Sequence, residues 1–201
     1  METEVTLILS HCDDIPEAKE YIGVDKGAYL LAKQNKHMIL AIGDFDSVTD
    51  EQLDIIKQYA KQVIQLNPIK DDTDSQAAIE YAIEQGYTKI HVYGGLGGRY
   101  DHMLINFCLA LRYPQCVYLY DKQNYIYALS EGVHEINKQN YQYISFFADE
   151  AIISLHGMKY NLENRYISNQ DTYTSSNEIL AKLGSIEIIR GKVLVIQSND
   201  K

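Results

Sequence analysis

The chain of 201 residues contains no tryptophan, only three cysteines, and 18 lysines and arginines against 28 aspartates and glutamates. Each shortage removes a class of protein. A net charge of −10 argues against binding DNA or RNA over a broad surface, because such binding rests on basic side chains neutralising phosphates. A small phosphorylated ligand carried by a metal stays open. Cys12, Cys108 and Cys116 are odd in number and lack metal-binding spacing, so they read as reduced thiols, not as a disulfide framework or a zinc site. No run approaches the ~20 apolar residues of a membrane span. The first apolar run, Val5 to Leu9, is short and followed at once by polar residues, unlike a signal peptide. The expectation is a cytoplasmic protein with neither nucleic-acid nor membrane partners. What is present suits an ordinary globular core: 46% hydrophobic residues, and 17 tyrosines, many in the second half, where half-buried strands with polar tips would use them.

The rest of the chain is organised around Gly43-Asp44-Phe45-Asp46-Ser47, which follows the apolar run Met38 to Ile42. That run reads as a buried strand, so both carboxylates lie where a strand gives way to a loop. In strand-like backbone, residues two apart point to one side, and converging anions repel unless a cation or proton separates them. Oxygen ligands without nearby His or Cys favour a hard ion such as magnesium, usually shared with phosphate oxygens. An ordinary acidic loop, with Asp46 or Ser47 capping the next helix, explains the stretch equally well.

Taken in order, Val5 to Leu9 and Tyr21 to Val24 read as strands, the second ending at Asp25, which local pattern makes the cap of a helix carrying Leu30 and Leu31. An amphipathic helix is expected from Asp50 to Gln62, a strand over Val63 to Leu66, and a helix bearing Ala77, Ala78, Tyr81 and Ala82 that stops at Gly86. Before that helix stand Asp71, Asp72, Thr73 and Asp74. Capping needs one carboxylate, not three; the surplus could complete a metal site with Asp44 and Asp46, or supply a base for a substrate hydroxyl. The strand Lys89 to Tyr93 then runs into Gly94-Gly95-Leu96-Gly97-Gly98-Arg99-Tyr100-Asp101-His102 and the helical Met103 to Leu111. Four glycines let backbone approach a ligand, helix N–H groups face an anion, and Arg99 adds a bidentate phosphate contact. The spacing matches neither a dinucleotide fingerprint nor a Walker loop. His102 reads either as a proton donor or as a simple hydrogen-bonding group.

After the strand Cys116 to Tyr120, short alternating runs (124–129, 132–136, 141–147, 151–155) lack intervening helices, and the tail from Ser185 to Ile196 reads as a hairpin through Arg190-Gly191-Lys192. The fold class is therefore α/β followed by all-β: a mostly parallel, Rossmann-like sheet over residues 1–125 and a small antiparallel β-sandwich over 126–201.

Asp25-x-Gly27-Ala28, Gly43-Asp44-Phe45-Asp46-Ser47, Asp71-x-Thr73-Asp74 and Gly94-x-x-Gly97-Gly98-Arg99-x-Asp101-His102, in this order, resemble the thiamin pyrophosphokinase family. Gly157 to Asn164 and Ser175-Ser176-Asn177-Glu178 resemble that family's second, thiamin-binding domain, so the resemblance covers almost the whole chain. It implies magnesium-dependent transfer of a pyrophosphoryl group from ATP to the thiamin hydroxyl, giving thiamin diphosphate and AMP. It places Asp44, Asp46 and Asp74 on magnesium, Asp71 near the attacking hydroxyl, and Asp74 and Arg99 with it among the catalytic groups. Asp25, Gly27, Ser47, Thr73, Gly94, Gly95, Gly97, Gly98, Arg99, Asp101 and His102 would hold ATP. Asp71, Ser175, Ser176 and Asn177 would meet thiamin, in a pocket completed by the second subunit of a homodimer. Several relatives set a tryptophan against thiamin; here Tyr166 or Tyr173 is the expected replacement. Asp44-Phe45-Asp46-Ser47-Val48 also fits the pattern of haloacid-dehalogenase-like phosphatases, with Asp44 as nucleophile. A catalytically silent nucleotide or thiamin binder is the third reading.

Overall fold

Five of the apolar runs form parallel strands: β1 (Glu4–Ile8), β2 (Tyr21–Val24), β3 (Leu40–Gly43), β4 (Val63–Gln65) and β5 (Lys89–Tyr93). The chain is seen in a computed structural model that describes residues 2–69 and 72–200. Between the strands lie α1 (Lys26–Lys33), α2 (Asp50–Tyr59) and α3 (Asp74–Glu84), and after β5 comes α4 (Tyr100–Arg112). β2 and β3 are buried at every position, as expected of parallel strands covered on both faces. The spatial order is β4-β3-β2-β1-β5, with Leu7 opposite Ile22 on one side and Val92 on the other. The chain therefore winds outward from β1 to β4 and returns to the other flank of β1, and the reversal opens a crevice at the carboxyl ends of β1 and β5. One core cluster joins Ile8, Ala28, Leu31, Met38, Phe45 and Ile56, seating α1 and α2 on the sheet.

Helix starts differ from the expected carboxylate caps. Thr49 caps α2 in a reciprocal box with Gln52, and Thr73 caps α3 by accepting from the Gln76 N–H at 3.2 Å. A threonine hydroxyl does the capping at both, which leaves the neighbouring aspartates for other duties. Asp25 occupies the N-cap position of α1, but its side chain makes no capping bond.

The chain divides into two compact units, Met1–Asn106 with Leu119–Asp121, and Phe107–Tyr118 with Lys122–Lys201, the division falling within α4 and β6 (Val117–Tyr120). The second unit holds β7 (Asn124–Leu129), β8 (Gly132–Asn137), β9 (Tyr143–Phe147), β10 (Glu150–His156), β11 (Leu162–Ser168), β12 (Leu183–Gly191) and β13 (Val193–Ser198). Its strands pair antiparallel as β7-β13-β9 and as β11-β10-β12-β8. Phe146, Val193 and Val195 from the first set share a core with Ile153, Leu155, Ile186 and Ile188 from the second. The expected terminal hairpin is corrected here: β12 pairs with β10 and β8, β13 with β7 and β9, and the chain changes sheet at Gly191-Lys192. Alternation fixes which side of a strand is buried, not which neighbour it pairs with. β11 is an added strand; its sequence, Leu-Glu-Asn-Arg-Tyr-Ile-Ser, is mostly exposed and carries no alternation. Among the described residues no helix is long and apolar enough to cross a membrane.

Candidate functional site

A cleft of about 400 Å3 opens in the first unit at the crevice between β1 and β5. Its walls come from the segments that leave the strands: Leu9, Ser10 and His11 after β1, Asp25 and Lys26 after β2, Ser47 after β3, Thr73 and Asp74 at the start of α3, and the glycine turn after β5.

Asp25 joins the cleft to the acidic loop. One carboxylate oxygen each from Asp25, Asp44 and Asp46 can be chosen so that all lie within 4.8 Å of one another. The loop achieves this by a turn and not by strand alternation: β3 ends at Gly43, and Phe45 takes a left-handed φ of 59° with its ring buried in the core. With the ring anchored inward, Asp44 and Asp46 are left on its two sides at the rim, where the Asp46 N–H donates to Asp44 Oδ1 at 3.1 Å. Asp25 itself has φ 50° and ψ −124°, a conformation disfavoured for a side chain with a Cβ. It accepts the Ser47 hydroxyl on Oδ2 at 2.6 Å, while Oδ1 is buried with no hydrogen-bond partner among the described residues. Burial pushes the Asp25 carboxyl above its usual range, the Ser47 bond opposes that, and the negative charges of Asp74 and Asp44 add to it. Asp74 thus lies close enough to be felt at Asp25 and lines the same cleft, but it is not in the three-carboxylate group. Asp71 lies outside the described residues.

Across the cleft, Gly94 and Gly98 have φ values of 80° and 78°, which reverse the chain twice between β5 and α4. A Cβ at Gly98 would stand 2.3 Å from Nε2 of His11. The turn is therefore seated on the segment that follows β1. Arg99 and His102 line the cleft, as do Gly94, Gly95 and Gly97. Arg99 is paired with Asp101, Nε at 3.1 Å and the terminal nitrogen at 2.5 Å, which holds the Asp101 carboxyl below its usual range. The His102 N–H also donates to Asp101. Gly27 lies apart from the cleft: a Cβ there would meet the Ile8 carbonyl oxygen at 1.9 Å, so glycine is what lets α1 pack against β1.

In the second unit, Ser175 donates to the Thr172 carbonyl at 2.8 Å and Ser176 is exposed with φ 54°. Asn177 is buried, and its amide is occupied by the main chain of Tyr160: Nδ2 donates to the carbonyl at 2.8 Å and Oδ1 accepts the N–H at 3.0 Å. Tyr173 lies under the Arg165 guanidinium, 5.3 Å from ring centroid to cation, and Tyr166 is exposed. His11 and Asn106 line the cleft without having been singled out in the sequence. The strand-end rule that picked Asp25 and Asp44 reaches His11 too, and Asn106 is the lone amide in an otherwise apolar helical run.

A glycine turn and acidic loops face one cleft on a parallel sheet, an antiparallel β unit follows, and the proteins that share this arrangement are transferases of the kinase type. The model of the thiamin pyrophosphokinase catalytic domain matches residues 15–121, and that of the thiamin pyrophosphokinase vitamin B1 binding domain matches residues 133–193. Thiamine pyrophosphokinase of Bacillus subtilis is 34% identical over 187 residues, covering 90% of this chain and 87% of the relative. The crystal structure of the Bacillus subtilis enzyme superposes with a TM-score of 0.88 at 30% identity, covering 99% of this chain and 100% of that one. A thiamin pyrophosphokinase family protein of Enterococcus faecalis gives 0.89 at 27% identity, with the same coverage. The chain belongs to the thiamin pyrophosphokinase family, whose reaction is pyrophosphoryl transfer from ATP to thiamin. The phosphatase reading falls with this, and Asp44 follows the third strand of the chain, not the first.

Proposed function

We propose that the first unit, a Rossmann-like sheet, binds ATP and magnesium in the β1/β5 cleft and that the second unit supplies residues for binding thiamin, for pyrophosphoryl transfer from the one to the other. The observation that carries this is the meeting of Asp25, Asp44 and Asp46 beside a cleft whose opposite wall is a glycine turn at a helix start. The residues fit a hard cation: the donors are all carboxylate oxygens, and Asp25 Oδ1 is buried without a hydrogen-bond partner among the described residues. Asp25, Asp44 and Asp46 would hold the ion, with Asp74 as a further ligand from α3. When bound, magnesium supplies charge neutralisation on the transferred phosphates.

The protein's own part is positioning. N–H groups of the Gly94–Gly98 turn and of the first turn of α4 orient phosphate oxygens, and Arg99 exchanges Asp101 for a phosphate. Ser47 and Thr73 hold the floor of the cleft, and Asp71, outside the described residues, is assigned to the attacking hydroxyl by the family resemblance alone. In-line displacement needs little covalent chemistry from the protein, so these contacts carry the rate. Ser175 and Ser176 line the thiamin pocket and Asn177 shapes it through Tyr160, with the pocket completed by a second copy of the chain in a cytoplasmic homodimer. The test is incubation of the purified protein with ATP, magnesium and thiamin, and separation of the nucleotides formed. Thiamin-dependent AMP with thiamin diphosphate is expected. ADP, or phosphate released without thiamin, overturns the assignment.

A further inference from the structure

Asn106, in the second turn of α4, is 2% exposed. Its Nδ2 donates to the Gly95 carbonyl oxygen at 2.8 Å, and its Oδ1 is closed from solvent with no hydrogen-bond partner among the described residues. A buried acceptor left unmatched is costly, so a fold that only needed to fill this space would use an apolar side chain of similar volume. The amide is kept, and what it grips is the glycine turn. That turn is held from two directions. On one side the segment after β1 closes in, so that a Cβ at Gly94 would stand 2.5 Å from the Cys12 amide nitrogen. On the other, a Cβ at Gly95 would stand 2.8 Å from Asn106 Nδ2.

We propose that Asn106 is a positioning residue for the polyphosphate of the nucleotide: it acts through Gly95, locking the Gly94–Gly98 turn onto α4 so that the N–H groups of turn and helix present one fixed surface. This rests on the reading of the cleft as an ATP site. The fold tolerates the unmatched Oδ1 because the same amide fixes the turn, and a group that serves ligand placement at the expense of stability is expected at a functional site.

The test is calorimetric binding of ATP and of AMP, each with magnesium, to wild type, Asn106→Leu, Gly95→Ala, Asn106→Ala and the Gly95→Ala/Asn106→Ala double variant, with a melting curve for each. Asn106→Leu exchanges one unmatched acceptor, its own Oδ1, for another, the Gly95 carbonyl, so it should melt close to wild type, yet bind ATP about tenfold more weakly, roughly the loss of one charge-assisted hydrogen bond. AMP, with fewer phosphates on the turn, should lose less. Gly95→Ala, whose methyl displaces the Asn106 amide, should show the same selective loss and add little in the Asn106→Ala background, where the obstruction is gone. If Asn106→Leu does not fold, the Gly95→Ala pair still decides. ATP affinity within about twofold of wild type in folded variants, or equal losses for ATP and AMP, overturns the proposal. Wild-type protein that binds neither nucleotide overturns the ATP reading itself, and this inference with it.

Discussion

Asp25→Asn should stabilise the first unit in metal-free buffer and weaken its hold on magnesium. The three carboxylates approach within 4.8 Å. At that separation two unit charges repel by about 0.9 kcal/mol in bulk water and about 3.5 kcal/mol at an effective dielectric constant of ~20. Asp46 is exposed and Asp44 half-buried, so screening puts each pair near the lower figure. Removing the Asp25 charge then relieves about 2 kcal/mol over the two pairs. The asparagine carbonyl can still accept from Ser47, and asparagine tolerates positive φ better than most residues. For a chain of this size about 2 kcal/mol corresponds to a melting midpoint higher by about 4–8 °C.

The assay is a pair of melting curves, one in EDTA at low salt and one across a magnesium titration, joined to calorimetric magnesium binding. In EDTA the variant should melt higher. As magnesium is added, wild type should gain and overtake it, because a ligand that binds only the folded state stabilises by RT ln(1 + [L]/Kd). A variant that melts lower in EDTA would refute the electrostatic argument. Equal magnesium stabilisation of both proteins would remove Asp25 from the cation site.

Asp46→Asn should abolish magnesium-dependent turnover with the circular dichroism spectrum unchanged; near wild-type activity would sink the metal site. Gly98→Ala forces a side chain onto φ 78° and against His11, and should cost about 1–2 kcal/mol of stability together with ATP affinity, measured by urea unfolding and calorimetry. Tyr127, buried in the second-unit core, has its phenol pushed up to about 12 from an ordinary 10.0. Its contribution is intact below pH 10 and is lost as pH rises towards 12, because the unfolded chain releases the proton first. Two units correspond to about 2.7 kcal/mol, so Tyr127→Phe should flatten the decline of urea midpoints over that range, and parallel curves would contradict it.

Strands buried on both faces were legible because their apolar runs are continuous, and from them followed the α/β half and the placing of Asp25, Asp44 and the glycine turn at strand ends. Pairing was not legible where alternation alone had to choose a partner, as with β12 and β13. The convergence of Asp44 and Asp46 was expected from strand alternation, but it comes from the left-handed turn at Phe45, a conformation that local propensity gives no reason to assign to an aromatic residue. Asp25 as partner of that pair was hidden because its position at a helix start has a simple capping explanation, and only the direction of its side chain towards Ser47 removes it. Asn106 left a faint mark, one amide in an apolar stretch, whose meaning depends on which carbonyl it meets.

Unmatched buried acceptors and strained backbone meet at one place. Among the described residues, the two buried side-chain atoms without a hydrogen-bond partner are Asp25 Oδ1 and Asn106 Oδ1, and both residues line the same cleft. The positive-φ, non-glycine positions include Asp25, a member of the carboxylate group, and Phe45, between its other two members in sequence. Elsewhere buried polar groups are matched: Asn177 spends its amide on Tyr160, and Thr174 its hydroxyl on the Phe146 carbonyl at 2.6 Å. A sequence selected only for stability would remove an unmatched acceptor and a strained aspartate, since each costs on the order of 1–3 kcal/mol. Their persistence around one cleft argues that binding recovers there what folding gives up. The same argument requires that Asp25→Asn leave the protein no less stable, that Asn106→Leu, which orphans the Gly95 carbonyl as it removes Oδ1, leave it close to wild type, and that each weaken a different ligand, magnesium for the first and the polyphosphate for the second.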